Sequence, residues 1–308
     1  MVRYSEKGVS YTVAFFMLIA FGIGATLLSG LIALPVLAGM SGKSISFIAD
    51  HLQDMIGDPA YLREMQVLQT LSAIIGFFVP TLFVAARLTR GPLQLTGFKG
   101  TISPRSLLFT IFIMACGLAL SSALGYFTYK LPFPVNWRIM FDRLEDNYAE
   151  NAAGLINLSS VPELLLSIIV LALVPAICEE TFFRGGLQNY LYRSNGKMWL
   201  SILIVSIIFS AVHASVYGFL ARFALGIILG LLYQYSGRIW LNILAHFINN
   251  AAAVIAMYSQ KASGKSMQQI LNDKDGSYIG FIAVPFIILL FMQYKKETAQ
   301  NRNIINGV

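Results

Sequence analysis

Two adjacent carboxylates, Glu179 and Glu180, sit beside an apolar stretch from Leu164 to Cys178 that carries no charged side chain, and Arg184 follows four residues after the second. Ionisable groups on a segment of that kind are expensive in lipid and mark functional positions by default. Further on, Phe209 and His213 are four apart, and so are His246 and Asn250, with Asn249 at the intervening i+3 position. Residues four apart share a helix face, and the acid-first order of Glu180 and Arg184 favours an ion pair. The helical period turns Glu179 about 100° away from that pair, toward a reaction cavity. A glutamate, two imidazoles and an amide from three helices supply a general base, neutral hydrogen-bond donors and possible metal ligands. These are the parts needed to activate water and stabilise an oxyanion. The same groups also suit interhelical hydrogen bonding, or a proton or ion path, and residue type alone leaves those readings open. No pattern points to a Ser/His or Cys/His nucleophile, and Cys178, beside Glu179, reads as a small helix-packing residue.

The elements that must position these groups follow from composition. Of 308 residues 56% are hydrophobic and only 12% charged, about half the charged share of a soluble protein. Apolar runs of membrane-spanning length fall at about 11–36, 67–86, 106–128, 161–182, 199–215, 219–235, 239–258 and 278–294. The expectation is therefore an all-α, polytopic membrane helix bundle of about eight transmembrane helices, forming one domain over residues 1–308. The first run is too long for a signal-peptide core and is retained as a span. A net charge of +7 is not a nucleic-acid signature here, because the basic residues lie in short inter-helix connections. Two cysteines within apolar runs form no disulfide framework.

Lys and Arg are more frequent on the connections that share a side with the N-terminus, most clearly Arg87, Arg90, Lys99 and Arg105. The positive-inside rule then places both termini in the cytoplasm of a multi-pass cell-membrane protein. The long outer connections 37–66 and 129–160 read as solvated loops, with amphipathic caps as the alternative. Pro175 offers no N–H to the carbonyl of Leu171, so a kink or local widening is expected there. With these boundaries Glu179 falls near the inner end of the fourth span and His213 near the outer end of the fifth. The two meet only if at least one boundary is misplaced, and a fourth helix extended toward Tyr192 is the preferred repair.

Glu179-Glu180-x-x-x-Arg184, Phe209-x-x-x-His213 and His246-x-x-x-Asn250 together resemble the three motifs of the CPBP family. These are the type II CAAX prenyl endopeptidases and their bacterial relatives, some linked to bacteriocin maturation and self-immunity. The resemblance covers about residues 160–260, and Asn250 is an accepted variant at the end of the third motif. It implies an intramembrane endopeptidase acting on a membrane-associated polypeptide, prenylated or leader-bearing. Glu179 would activate water, with His213 sharing that water or a metal, and Glu180 with Arg184 would form the supporting pair. His246 and Asn250 would stabilise the oxyanion, or His246 would ligate metal. The implied metalloprotease label makes Zn2+ the cofactor to test, with Glu179, His213 and His246 as ligands. The absence of a helical HExxH signature keeps a metal-free route open. A non-catalytic scaffold, an immunity protein or a transporter that retains the polar cluster is the alternative. The partners implied are a peptide or protein substrate and the lipid bilayer.

Overall fold

A computed structural model describes residues 3–56, 58–271 and 276–306. Its long elements are all helices: α1 (Tyr11–Ser41), α2 (Ile45–Met55), α3 (Pro59–Leu88), α4 (Pro104–Lys130), α5 (Val135–Ala153), α6 (Val161–Asn195), α7 (Met198–Ala211), α8 (Phe219–Ser236), α9 (Ile239–Ala262) and α10 (Tyr278–Ala299). Among the described residues there is no strand, and seven helices (α1, α3, α4, α6, α8, α9 and α10) are long and apolar enough to cross a membrane. Large apolar side chains such as Leu27, Leu31 and Ile32 point outward from α1, an arrangement that suits lipid rather than water. This is a multi-pass membrane helix bundle.

The fifth expected span, 199–215, is the one that changes. Its helix, α7, has only 14 residues, about 21 Å at 1.5 Å per residue against a hydrocarbon thickness of about 30 Å. It stops at Ala211, and the turn that follows contains Ala214 in the left-handed region at φ 51°, so His213 sits in the turn rather than on the helix. The fourth expected span changes in the opposite sense. α6 runs for 35 residues, about 52 Å, and continues past Tyr192, the extension expected to let Glu179 meet His213. Glu179 lies about 24 Å along α6 from its Asn195 end, and α7 rises about 20 Å from Met198 before reaching the turn of His213. The segment after the paired acids and the end of α7 meet through Phe183 and Phe209, whose ring centroids are 5.2 Å apart.

α6 accommodates Pro175 by changing its winding. A π-helical segment, Ile169–Leu173, precedes the proline, and a second, Thr181–Gln188, follows the paired acids. A π segment takes up an extra residue per turn, which realises the local widening expected at Pro175.

The two long connections contain helices, the amphipathic-cap alternative, each with a buried minority of its residues. α2 inserts Ile48 and Met55 against Ala33, Leu37 and Met65, sealing one end of α1 and α3. α5 presents Asp142, Glu145 and Tyr148 at helical spacing to the turn after α7. The Tyr217 hydroxyl donates to Asp142 at 2.8 Å, the Ser215 hydroxyl donates to Glu145 at 2.8 Å, and Arg222 lies 4.9 Å from the Tyr148 ring centroid. The charges that made 129–160 look like a loop are the groups that fasten α5 to the His213 turn.

α7 and α8 pack closely because Gly226 has no side chain. A Cβ on Gly226 would stand 2.8 Å from the Ser206 Cβ, whereas one on Gly30 would meet nothing within 4 Å. Overpacking of this kind costs about 1–3 kcal/mol. Gly226→Ala is therefore expected to lower the unfolding temperature of detergent-solubilised protein, and Gly30→Ala to leave it unchanged or slightly raised. Equal shifts in the two variants would show that the α7–α8 contact is not tight.

Candidate active site

Glu180 is fully buried on α6 and accepts hydrogen bonds from three other residues. Arg184 Nη1 donates to its Oε1 at 2.7 Å, one helical turn on, which is the ion pair expected from the spacing. His246 Nδ1 on α9 meets the same oxygen at 2.8 Å. Asn242 Nδ2, a turn earlier on α9, donates to Oε2 at 3.2 Å and also to the Leu229 carbonyl of α8 at 2.6 Å. Arg184 Nη2 reaches the Gly226 carbonyl of α8 at 3.4 Å, and the guanidinium lies 4.5 Å from the Phe209 ring centroid on α7. One carboxylate thus ties α6 directly to α9, and through Arg184 and Asn242 to α8.

Asn242 was not singled out by sequence reasoning. A signal was present: Asn242, His246 and Asn250 are spaced by four, placing three polar groups on one face of an otherwise apolar helix. An asparagine without a neighbouring charge is easily passed over as a packing residue in a membrane helix.

Glu179 is in a different situation. Its side chain is 16% exposed where that of Glu180 is 0% exposed, as expected from its rotation about the helix axis. Its Oε2 is buried with no hydrogen-bond partner; Arg184 Nε and Asn242 Oδ1 are the other unpartnered atoms of the cluster. His246 Nε2 lies 4.0 Å from Glu179 Oε2, too far for a direct hydrogen bond. Because a carboxylate only accepts, the His246 proton sits on Nδ1 toward Glu180, and Nε2 is the ring atom presented to Glu179.

The Phe209 ring stands between the two histidines, with centroids 5.1 Å from His213 and 5.8 Å from His246. His213 Nδ1 donates to the Phe209 carbonyl at 2.8 Å, which leaves Nε2 as its acceptor by the same reasoning. Asn250 Nδ2 donates to the Leu171 carbonyl at 3.3 Å, and its Oδ1 accepts from Asn249 at 3.0 Å. The Leu171 carbonyl is the one that Pro175 cannot serve, so the third motif repairs the break that the proline makes beside the first. Asn250 retains a second amide hydrogen.

The expected zinc ligands do not form a metal cradle. Among the described residues no three His, Cys, Asp or Glu side chains are grouped to hold a metal ion. His246, held through Nδ1 by Glu180, keeps Nε2 free 4.0 Å from Glu179 Oε2, a separation that two ligands of one ion can have. A catalytic zinc takes three protein ligands, and among the described residues Glu179 and His246 have no third His, Cys, Asp or Glu grouped with them to complete that set. No step of the chemistry is therefore routed through a metal.

Removing one partner of a buried ion pair leaves an uncompensated charge and destabilises by about 3–5 kcal/mol. Arg184→Met is expected to show a loss of that size in unfolding measurements. Arg184→Met combined with Glu180→Gln should recover much of it. Additive losses in the double variant would mean that the two side chains are not coupled.

Residues 161–252 match the family described as Rce1-like, type II CAAX prenyl endopeptidase. Neither the curated proteins nor the solved structures gave a match. The matched segment is under a third of the chain and spans from α6 into α9, including Glu179, Glu180, Arg184, His213, His246 and Asn250. In the segment that builds the buried polar cluster, this membrane protein matches the Rce1-like type II CAAX prenyl endopeptidase family, consistent with its CPBP resemblance.

Proposed function

We propose that the protein is an intramembrane endopeptidase that hydrolyses a peptide bond of a membrane-associated polypeptide, with Glu179 as the base. The observation that carries this reading is the unpartnered Glu179 oxygen facing an imidazole whose other nitrogen is held in place. Buried polar atoms are nearly always paired, so an orphaned carboxylate oxygen beside a fixed histidine suits a site for a reacting group. The match over 161–252 supports peptide hydrolysis as that reaction.

In this mechanism Glu179 removes a proton from water as the water oxygen bonds to the substrate carbonyl carbon. The carbonyl oxygen becomes an oxyanion and accepts from the remaining amide N–H of Asn250. Collapse of the intermediate breaks the C–N bond, and the proton taken by Glu179 passes to the leaving nitrogen. His246 Nε2, 4.0 Å from Glu179, is placed to share that proton, and an imidazolium there is balanced by Glu180. His213 Nε2 supplies a further acceptor for the attacking water. Glu180, Arg184 and Asn242 position His246 without touching substrate.

The cytoplasmic placement of both termini belongs to the same proposal and rests on the Lys/Arg distribution. A reporter fused at the C-terminus that is active only outside the cytoplasm would reverse it.

Glu179→Gln keeps the shape of the side chain but cannot take the proton. Its expected effect is a fall in peptide cleavage of about 10²–10⁴-fold, with insertion and unfolding temperature preserved. Terminal proteomics of cells carrying wild type or Glu179→Gln should reveal cleavage products that disappear with the variant. Unchanged termini together with altered solute flux would favour the transporter reading. Metal analysis separates the two routes: the metal-free one expects active protein without stoichiometric zinc. Stoichiometric zinc that is lost in His213→Ala would instead assign ligation.

A further inference from the structure

A cavity of about 1080 Å³ is bounded by the N-terminal segment, the end of α6, the loop before α4 and the turn between α8 and α9. Arg3, Lys99, Arg193 and Arg238 line it together with Tyr11 and Tyr233, and no acidic residue does. Arg193 lies about 20 Å along α6 from Glu179, so this cavity is separate from the polar cluster and the inference does not rest on the endopeptidase reading.

Arg238 is the informative member. It is only 7% exposed, yet among the described residues it takes part in no ion pair and its guanidinium has no hydrogen-bond partner. Buried charges are normally paired, because an isolated one carries a large desolvation penalty. The local backbone nevertheless fixes it there. Its own N–H donates to the Ser236 hydroxyl at 3.1 Å, and the N–H of Ile239 donates to the Gly97 carbonyl at 3.0 Å. Gly100 sits against the guanidinium, where a Cβ would come within 3.2 Å of Nε. Arg193 is aligned from the other side by Asn189, which accepts from its Nε at 2.8 Å, and by the Tyr11 ring at 5.4 Å. Glu6, the acidic residue of the N-terminal segment, is already taken by the Thr89 hydroxyl at 2.6 Å and the Arg90 backbone N–H at 3.3 Å.

We infer that this cavity binds a phosphate-bearing ligand whose multiple negative charge compensates Arg238. Guanidinium groups match phosphate oxygens with paired N–H donors, and the tyrosine rings of the lining offer flat surface. The volume exceeds what an inorganic ion fills, leaving room for the group that carries the phosphate. That group is either the headgroup of an anionic phospholipid or a soluble phosphorylated molecule, since the cavity lies at the helix ends, where both are within reach.

The test uses the full chain in phosphatidylcholine nanodiscs, with unfolding temperature followed in two arms. One arm titrates inorganic pyrophosphate into the solution, and the other replaces part of the phosphatidylcholine with phosphatidylglycerol. A rise in unfolding temperature is expected in at least one arm, together with an apparent affinity about fivefold weaker for each cation removed. A response to phosphatidylglycerol alone identifies a lipid headgroup, and a response to pyrophosphate alone identifies a soluble phosphate. Arg238→Gln is the direct variant, and Arg3→Gln with Lys99→Gln, both at exposed positions, serves if Arg238→Gln does not fold. No response in either arm, or a response of equal strength in wild type and variants, overturns the inference.

Discussion

The Glu180 carboxylate is the interaction on which the arrangement of the polar cluster depends. A charge at 0% exposure inside an apolar bundle is tolerable only if its lone pairs are satisfied, and here Arg184, His246 and Asn242 do so from two helices. Each donor is itself constrained. Arg184 packs against Phe209 and reaches the Gly226 carbonyl, and Asn242 also serves the Leu229 carbonyl. The consequence for chemistry is indirect. Glu180 sets the tautomer and orientation of His246, which presents Nε2 toward Glu179, the carboxylate left with an unpartnered oxygen. Two neighbouring glutamates thus acquire different surroundings, because the helical period points one into the bundle and leaves the other partly exposed.

Backbone irregularity supports the same site. Pro175 removes a hydrogen bond from α6 one turn before Glu179, and the helix answers with π winding on both sides of the paired acids. The carbonyl freed at Leu171 is not left bare, because Asn250 of the third motif donates to it. A break in one helix and an amide on another form a single feature. π segments inside α-helices are frequently found at functional sites, and this one has a local cause in the proline.

Depth is controlled by unequal helix lengths. α6 is longer than a membrane crossing requires and α7 is shorter, so the mid-region of the first meets the end of the second. The turn after α7 that carries His213 is then secured from outside by Asp142 and Glu145 of α5. A short helix with a free end would be poor support for a histidine, and α5 supplies the missing restraint.

The membrane class, the order of the spans and, Asn242 apart, the identity of the clustered residues were legible in the sequence. Charges and imidazoles stand out in a chain with so few ionisable groups, and four-residue spacing assigns each pair to a helix face. The Glu180–Arg184 pair is local to one turn, so it too was readable. Other features were decided only by the tertiary structure. These include the pairing of His246 with Glu180, the part played by Asn242, the failure of Glu179, His213 and His246 to form a metal cradle, and the folding of 129–160 into a helix that fastens the His213 turn. The physical reason is the same in each case. Periodicity specifies which residues share a face, but not which faces meet, at what depth, or how far a helix shifts its winding to let them meet.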